Sequence, residues 1–125
     1  MTKLTTIKIT STAKCLEEAI CKATGMPKAE FHRRAIDSFL EKGGKVEEDM
    51  KITAKTDPRY IKKEERDLIY LDDERREQLE KVLLREKTKI TTVLFQAILD
   101  YCMEMCDTVP EDVMCSIIGN DKYKE

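Results

Sequence analysis

Apolar and polar side chains alternate near the start of the chain, and the same pattern returns in its second half. Residues 4–10 place Ile7 and Ile9 between threonines and a lysine, and residues 66–71 place Ile69 and Leu71 at the same alternate positions, on either side of Tyr70. Alternation of this kind, rich in β-branched residues, predicts a short strand with one buried face. The sequence therefore predicts two short strands in separate parts of the chain.

Each predicted strand is followed by two segments with apolar residues at helical spacing. In the first unit, a hydroxyl from residues 10–12 caps a helix that ends at Gly25, and a second helix runs from Pro27 to Lys42. In the second unit, the predicted caps are Asp72 or Asp73 for the first helix and Thr88 or Thr91 for the next. The order strand, helix, helix is therefore predicted twice.

The apolar positions of the two units superpose at one constant offset, the one that relates Ile7 to Ile69. Two residues related by this offset occupy equivalent positions in the two units. A unit of about 40 residues cannot bury enough apolar surface alone, so each unit is expected to cover the apolar face of the other. The superposed pairs are Ile7 and Ile69, Ile9 and Leu71, Ile20 and Val82, Cys21 and Leu83, Phe31 and Val93, Ala35 and Ala97, Ile36 and Ile98, and Phe39 and Tyr101.

The two repeated units and the segments between and after them divide the chain into four parts. We predict a first unit at 1–43, a polar linker at 44–65, a second unit at 66–106 and a tail at 107–125 that contains a short helix. Residues 50–53 repeat the alternation of the first strand and predict an extra edge strand within the linker.

Charge and cysteine content narrow the class of protein. The net charge is −2, but residues 1–43 carry +3, the linker zero, the second unit −2 and the tail −3. An anion-binding face is therefore expected mainly in the first third. Five cysteines without a CxxC pair predict reduced thiols and no metal site. One histidine, His32, expected on a solvent-exposed helix face, and four glycines predict no enzyme and no cofactor.

No signal-peptide core opens the sequence, and no apolar run approaches the ~18 residues that span a bilayer. These features predict a cytoplasmic protein without membrane contact.

The strand–helix–helix pattern over residues 4–42 and 66–105 resembles the ribbon-helix-helix family, small bacterial and phage regulators of the Arc and MetJ type. The resemblance implies a mainly α fold with a short two-stranded antiparallel ribbon. It further implies that the two ribbon-helix-helix units form an intramolecular pseudo-dimer in one chain. The implied state in solution is a monomer, or a homodimer in which each chain forms its own closed pseudo-dimer.

The resemblance also implies the residues that contact DNA. Outward side chains of the ribbon read bases in the family, and the N-terminus of each second helix binds phosphate. The implied base-contacting residues are Thr6, Lys8, Arg66 and Tyr70, and the implied phosphate-contacting residues are Met26, Pro27, Lys28, Thr88 and Lys89.

The residues themselves leave other interpretations open. Lys8 is also explained as a solvated strand lysine, Arg66 as a partner of Glu64 or Glu65, and Tyr70 as a partly buried ring. Leu4 and Leu68 put apolar side chains on the outward face, and the acidic residues Asp67, Asp72 and Asp73 are expected to repel phosphate. The second unit is then mainly a structural partner.

Two functions follow. The first is a transcriptional regulator of a bacterium, phage or other mobile element. It represses transcription by occupying a double-stranded DNA operator. It also acts like an antitoxin if its linker or tail binds a toxin or another protein. The alternative is a protein–protein interaction module that keeps the ribbon-helix-helix fold without DNA binding.

Overall fold

The computed structural model describes residues 3–122, with side chains described for residues 3–117. Within this range the chain is mainly helical and contains a two-stranded antiparallel sheet, which confirms the predicted class. The elements are β1 (Lys3–Ile9), α1 (Ser11–Thr24), α2 (Lys28–Glu41), β2 (Glu65–Leu71), α3 (Asp73–Glu86), α4 (Ile90–Met105) and α5 (Glu111–Lys122), with short 3₁₀ turns at Glu48–Lys51 and Cys106–Thr108.

The bounds of the elements repeat at the offset seen in the sequence. β2 begins and ends at the positions equivalent to those of β1, α3 does so relative to α1, and α4 begins at the position equivalent to the start of α2. The two strands pair with each other within the one chain, and Thr6 lies opposite Leu68 at the centre of the ribbon. Ile7, Ile9, Ile69 and Leu71 are buried on its inner face, as the alternation predicts.

Local chemistry explains three of the helix ends. The Thr10 hydroxyl accepts a hydrogen bond from the amide of Ala13 at 3.1 Å, and the Asp72 carboxylate accepts one from the amide of Arg75 at 2.8 Å. Gly25 ends α1 in the left-handed conformation. The cap predicted from Thr88 or Thr91 is wrong, because Lys89 occupies the N-cap of α4 without a side-chain hydrogen bond.

The core forms where α2 and α4 pack together beneath the ribbon. Phe31 of α2 meets Tyr101 of α4 edge-to-face, with ring centroids 5.2 Å apart. α4 is the most completely buried helix of the described chain, since Val93, Leu94 and Ala97 and most of their neighbours are inaccessible to solvent.

The linker packs against the two units and does not form the predicted edge strand. Residues 48–51 form a 3₁₀ turn, so the strand expected at 50–53 is wrong. Val46 and Met50 are buried in the core, and the amides of Val46 and Glu47 donate to side chains of Glu86 and Gln96 at 2.8 Å. The turn places the side chain of Met50 in the core.

At the other end of the chain, α5 packs against α1. None of the helices in the described range has the length and apolar character needed to cross a bilayer.

Candidate nucleic-acid interface

The outer face of the ribbon is open to solvent. All six side chains that alternate away from the core are exposed, and Leu4, Leu68 and Tyr70 keep 52%, 53% and 55% of their accessible surface. The register groups the six side chains into three cross-strand pairs, which are Leu4 with Tyr70, Thr6 with Leu68, and Lys8 with Arg66.

A basic groove of about 850 Å³ opens beside the Lys8–Arg66 end of this face. The linker supplies its other wall through Lys55, Lys62 and Lys63. Five of its lining side chains are cationic and, among the described residues that line it, none is acidic. The lining residues are Thr6, Ile7, Lys8, Lys55, Tyr60, Lys62, Lys63, Arg66 and Thr91.

The cations of the groove differ in how far they are already neutralised. Lys62 lies 2.9 Å from Glu64, and the Lys63 ammonium lies 5.1 Å from the centroid of the Phe95 ring. Burial lowers the pKa of Lys63. None of the ion pairs described among the side chains of residues 3–117 includes Lys8 or Arg66.

The two predicted phosphate sites lie at the N-termini of α2 and α4. At the first, Met26 is partly buried, Pro27 is the N-cap, and Lys28 turns toward the interior. Its ammonium lies 3.6 Å from Glu17 and 3.5 Å from Asp67. At the second site, Thr88 is half-buried and Lys89 is exposed.

Lys28 belongs to an ionic cluster formed by Lys14, Glu17, Lys28, His32 and Asp67, in which the two carboxylates and the imidazole are buried and the two lysines reach the surface. His32 Nε2 lies 2.5 Å from Glu17 Oε1 and 3.1 Å from Asp67 Oδ2. The Lys14 ammonium donates to the carbonyl of Arg66 at 2.8 Å and lies 3.4 Å from Asp67. The cluster therefore fastens β2 to both α1 and α2.

Two sequence expectations are wrong at this cluster. His32, expected on the surface, is 3% exposed because two carboxylates meet its ring inside the core. Asp67, expected to repel phosphate, is 1% exposed because it shares the inward parity of Ile69 and Leu71. The carboxylate of Asp67 therefore points away from the outer face of the ribbon.

The electrostatics of the cluster favour a protonated imidazole. Burial alone would lower the pKa of His32, but hydrogen bonds and attraction from Asp67 and Glu17 raise it to about 9. Burial also acts on Asp67, yet His32, Glu17 and Lys14 hold its pKa well below the ordinary value. Burial raises the pKa of Glu17, and its hydrogen bond to His32 opposes that shift.

Glu17, His32 and Asp67 are also residue types that bind metals, and their ligand atoms lie within 4.8 Å of one another. The ammonium groups of Lys14 and Lys28 already balance the two carboxylates, so an added cation would meet two positive charges at close range. Cys102 is buried, and burial raises its pKa to about 12, which disfavours the thiolate that binds metals.

Sequence reasoning missed the buried cluster and the linker wall of the groove. A signal for the cluster was present, because Asp67 alternates in phase with Ile69 and Leu71, and His32 adjoins Phe31 on the apolar side of α2. No comparable signal marked Lys55 or Lys63, because the linker has no periodicity.

Comparison of the chain with protein-family models, curated proteins and solved structures finds no match.

Proposed function

We propose that this protein binds double-stranded DNA in a sequence-specific manner and regulates transcription, with the outer face of ribbon β1–β2 in the major groove. The observation that carries the proposal is the solvent-exposed ribbon face whose Lys8–Arg66 end opens onto the basic groove. A two-stranded ribbon fits the width of the major groove. A local positive field of this kind attracts phosphate even when the net charge of the chain is −2.

The ribbon-helix-helix pseudo-dimer is part of this proposal. Two facts support it. The elements repeat at a constant offset, and the register places Thr6 opposite Leu68, which is its own equivalent at that offset. When a two-fold axis through the centre of a ribbon relates two copies of a strand, the central residue lies opposite its own equivalent. The single chain then supplies both strands that a dimer of separate chains would supply.

Each side of the interface has a distinct role in the proposal. Lys8 and Arg66 donate to acceptors on guanine, and Thr6 and Tyr70 contact neighbouring bases. The linker lysines and the N-terminus of α4, with Thr88 and Lys89, face phosphates. The N-terminus of α2 contributes backbone amides, because the ammonium of Lys28 is engaged by Glu17 and Asp67.

Titration against DNA tests the proposal. Duplexes that tile the DNA upstream of the gene, and one unrelated duplex of equal length, are titrated at two salt concentrations by fluorescence anisotropy. We expect a preferred duplex, and Lys8→Ala should weaken binding to it by about 1–3 kcal/mol. Lys55→Ala should weaken binding to all duplexes and flatten the salt dependence by about one unit.

The matched control is Lys81→Ala, an exposed lysine of α3 outside the basic groove. It should leave binding unchanged. Equal affinities for wild type, Lys8→Ala and Lys81→Ala would overturn the ribbon-reading proposal, and so would a folded wild-type protein that binds none of the duplexes.

A second candidate function is a protein interaction module, and the exposed apolar side chains of Leu4, Leu68 and Tyr70 favour it. In that case the protein would show no affinity for the duplexes, and a toxin or another protein encoded beside it would co-purify with the chain. Replacing Leu68 by Ala would release such a partner.

A further inference from the structure

The outer face of the ribbon has two chemically different ends. One end carries Lys8 opposite Arg66, and the other carries Leu4 opposite Tyr70, with Leu68 at the centre beside Thr6. At the offset that relates the two units, Leu4 is equivalent to Arg66 and Lys8 is equivalent to Tyr70. Each strand therefore gives its cation to the same end, and the symmetry of the backbone is broken by the side chains.

The two ends suit different base pairs. Lysine and arginine only donate hydrogen bonds, and the guanine N7 and O6 atoms are the matching acceptors in the major groove. Leucine side chains and a tyrosine ring bring no charge and gain most from the C5-methyl group of thymine. The basic groove adjoins the first end alone, so the positive field is also one-sided.

We propose that the ribbon reads a non-palindromic DNA site, with guanine under the Lys8–Arg66 end and thymine under the Leu4–Tyr70 end. This inference rests on the proposed DNA-binding function and adds the kind of sequence that is bound. A strand rises about 3.4 Å per residue, so positions 4 and 8 are separated by roughly four base-pair steps. The two ends therefore contact separate base pairs within one ribbon footprint.

Selection from a random duplex library followed by measured affinities tests the inference. The selected wild-type site should lack two-fold symmetry and carry guanine at one end and thymine at the other. Replacing the guanine pair by A·T should lower affinity about 5- to 100-fold. Replacing thymidine by deoxyuridine removes only the methyl group and should cost about threefold to fivefold per thymine.

Two variants complete the test. Leu4→Ala with Leu68→Ala should weaken the discrimination between thymidine and deoxyuridine and keep the preference for guanine. Leu4→Arg with Tyr70→Lys gives both ends the same cationic pair, and its selected site should carry guanine at both ends. Because these side chains are about half exposed, the variants should fold, which circular dichroism checks.

The outcomes distinguish a failure of the non-palindromic recognition from a failure of DNA binding itself. A palindromic wild-type site, or no effect of deoxyuridine, would overturn the inference and leave DNA binding standing. Absence of any selected sequence from a folded wild-type protein would overturn the DNA-binding function itself and favour a protein partner on the apolar end.

Discussion

The two strand–helix–helix segments share a backbone pattern and differ in what they bury. In the first segment, α1 and α2 bury Glu17 and His32. At the equivalent positions of the second segment, α3 and α4 bury Leu79 and Leu94, and both leucines are fully inaccessible. One half of the core is therefore held by an ionic cluster where the other half uses apolar packing.

This difference separates stability from specificity. Buried ion pairs lose most of their Coulomb gain to desolvation, whereas buried leucines contribute apolar transfer energy at every pH. The cluster is sensitive to register, because a one-residue slip of β2 would turn Asp67 outward and leave His32 and Lys14 without their shared partner. We infer that the apolar half supplies stability and that the ionic half fixes how β2 sits on α1 and α2.

Removal of the Asp67 carboxylate should lower the stability of the protein more than any other single substitution in the ionic half of the core. Asp67→Ala removes one of the two carboxylates that face the buried imidazole of His32 and also removes the partner of Lys14, so we expect a loss of about 3 kcal/mol in the free energy of unfolding. Urea denaturation measures this loss. Glu80→Ala, on the exposed face of α3, is the control and should change stability by less than about 0.5 kcal/mol. Similar losses in both variants would contradict a special role for the cluster.

Replacement of the three buried members of the cluster by the residues at their equivalent positions should have the opposite result. The triple variant Glu17→Leu, His32→Leu and Asp67→Thr introduces the residues that stand at the equivalent positions. The three changes remove every fully buried charge of the cluster together, and the ammonium groups of Lys14 and Lys28 keep access to solvent. The free energy of unfolding should therefore stay level or rise by up to about 4 kcal/mol. A triple variant as unstable as Asp67→Ala would show that the shape of the side chains, and not their charge, determines the stability of this part of the core.

The pH dependence of stability should come from the ionic half. The pKa of His32 is raised from its ordinary value of 6.5 to about 9, so protonation stabilises the folded state. Its contribution is complete below pH 6.5 and is lost as the pH rises through 9, by up to about 3 kcal/mol. The pKa of Asp67 is lowered, so its contribution is lost in acid. The raised pKa of Glu17 acts in the opposite direction to that of Asp67.

Denaturation midpoints of the wild type at pH 7, 8 and 9 measure the alkaline loss. The triple variant is the control and should lack this slope over the same range. A wild-type midpoint that is constant from pH 7 to 9 would contradict a protonated His32 in the core.

Sequence periodicity predicted the fold class and much of the outer ribbon face, because alternation fixes the side of the sheet on which a residue lies. The same rule assigned Asp67 to the inside, but its charge favoured the surface, and the compensating His32 and Lys14 come from helices 35 and 53 residues away. Pairing between distant elements leaves no periodic trace in the sequence. The path of the linker, which depends on burial of Val46 and Met50, was unpredictable for the same reason.

The turns between the paired helices offer the smallest and most local test of the comparison. Gly25 follows α1 at φ 74°, and its equivalent after α3 is Lys87 at φ 54°, a non-glycine residue with positive φ in the described chain. A side chain in this left-handed region costs about 1 kcal/mol relative to glycine. The second turn therefore carries a strain that the first avoids.

Exchanging the residue types should move stability in opposite directions. Lys87→Gly should raise the free energy of unfolding by about 0.5–1 kcal/mol, since relief of strain exceeds the added entropy of the unfolded chain. Gly25→Ala should lower it by about 1 kcal/mol, and the cost is purely conformational because an added Cβ meets no atom within 4 Å. Both are measured by thermal denaturation at fixed pH. If Lys87→Gly were destabilising, the lysine side chain would have to contribute a contact that outweighs its backbone strain, and the two turns would differ in packing as well as in sequence.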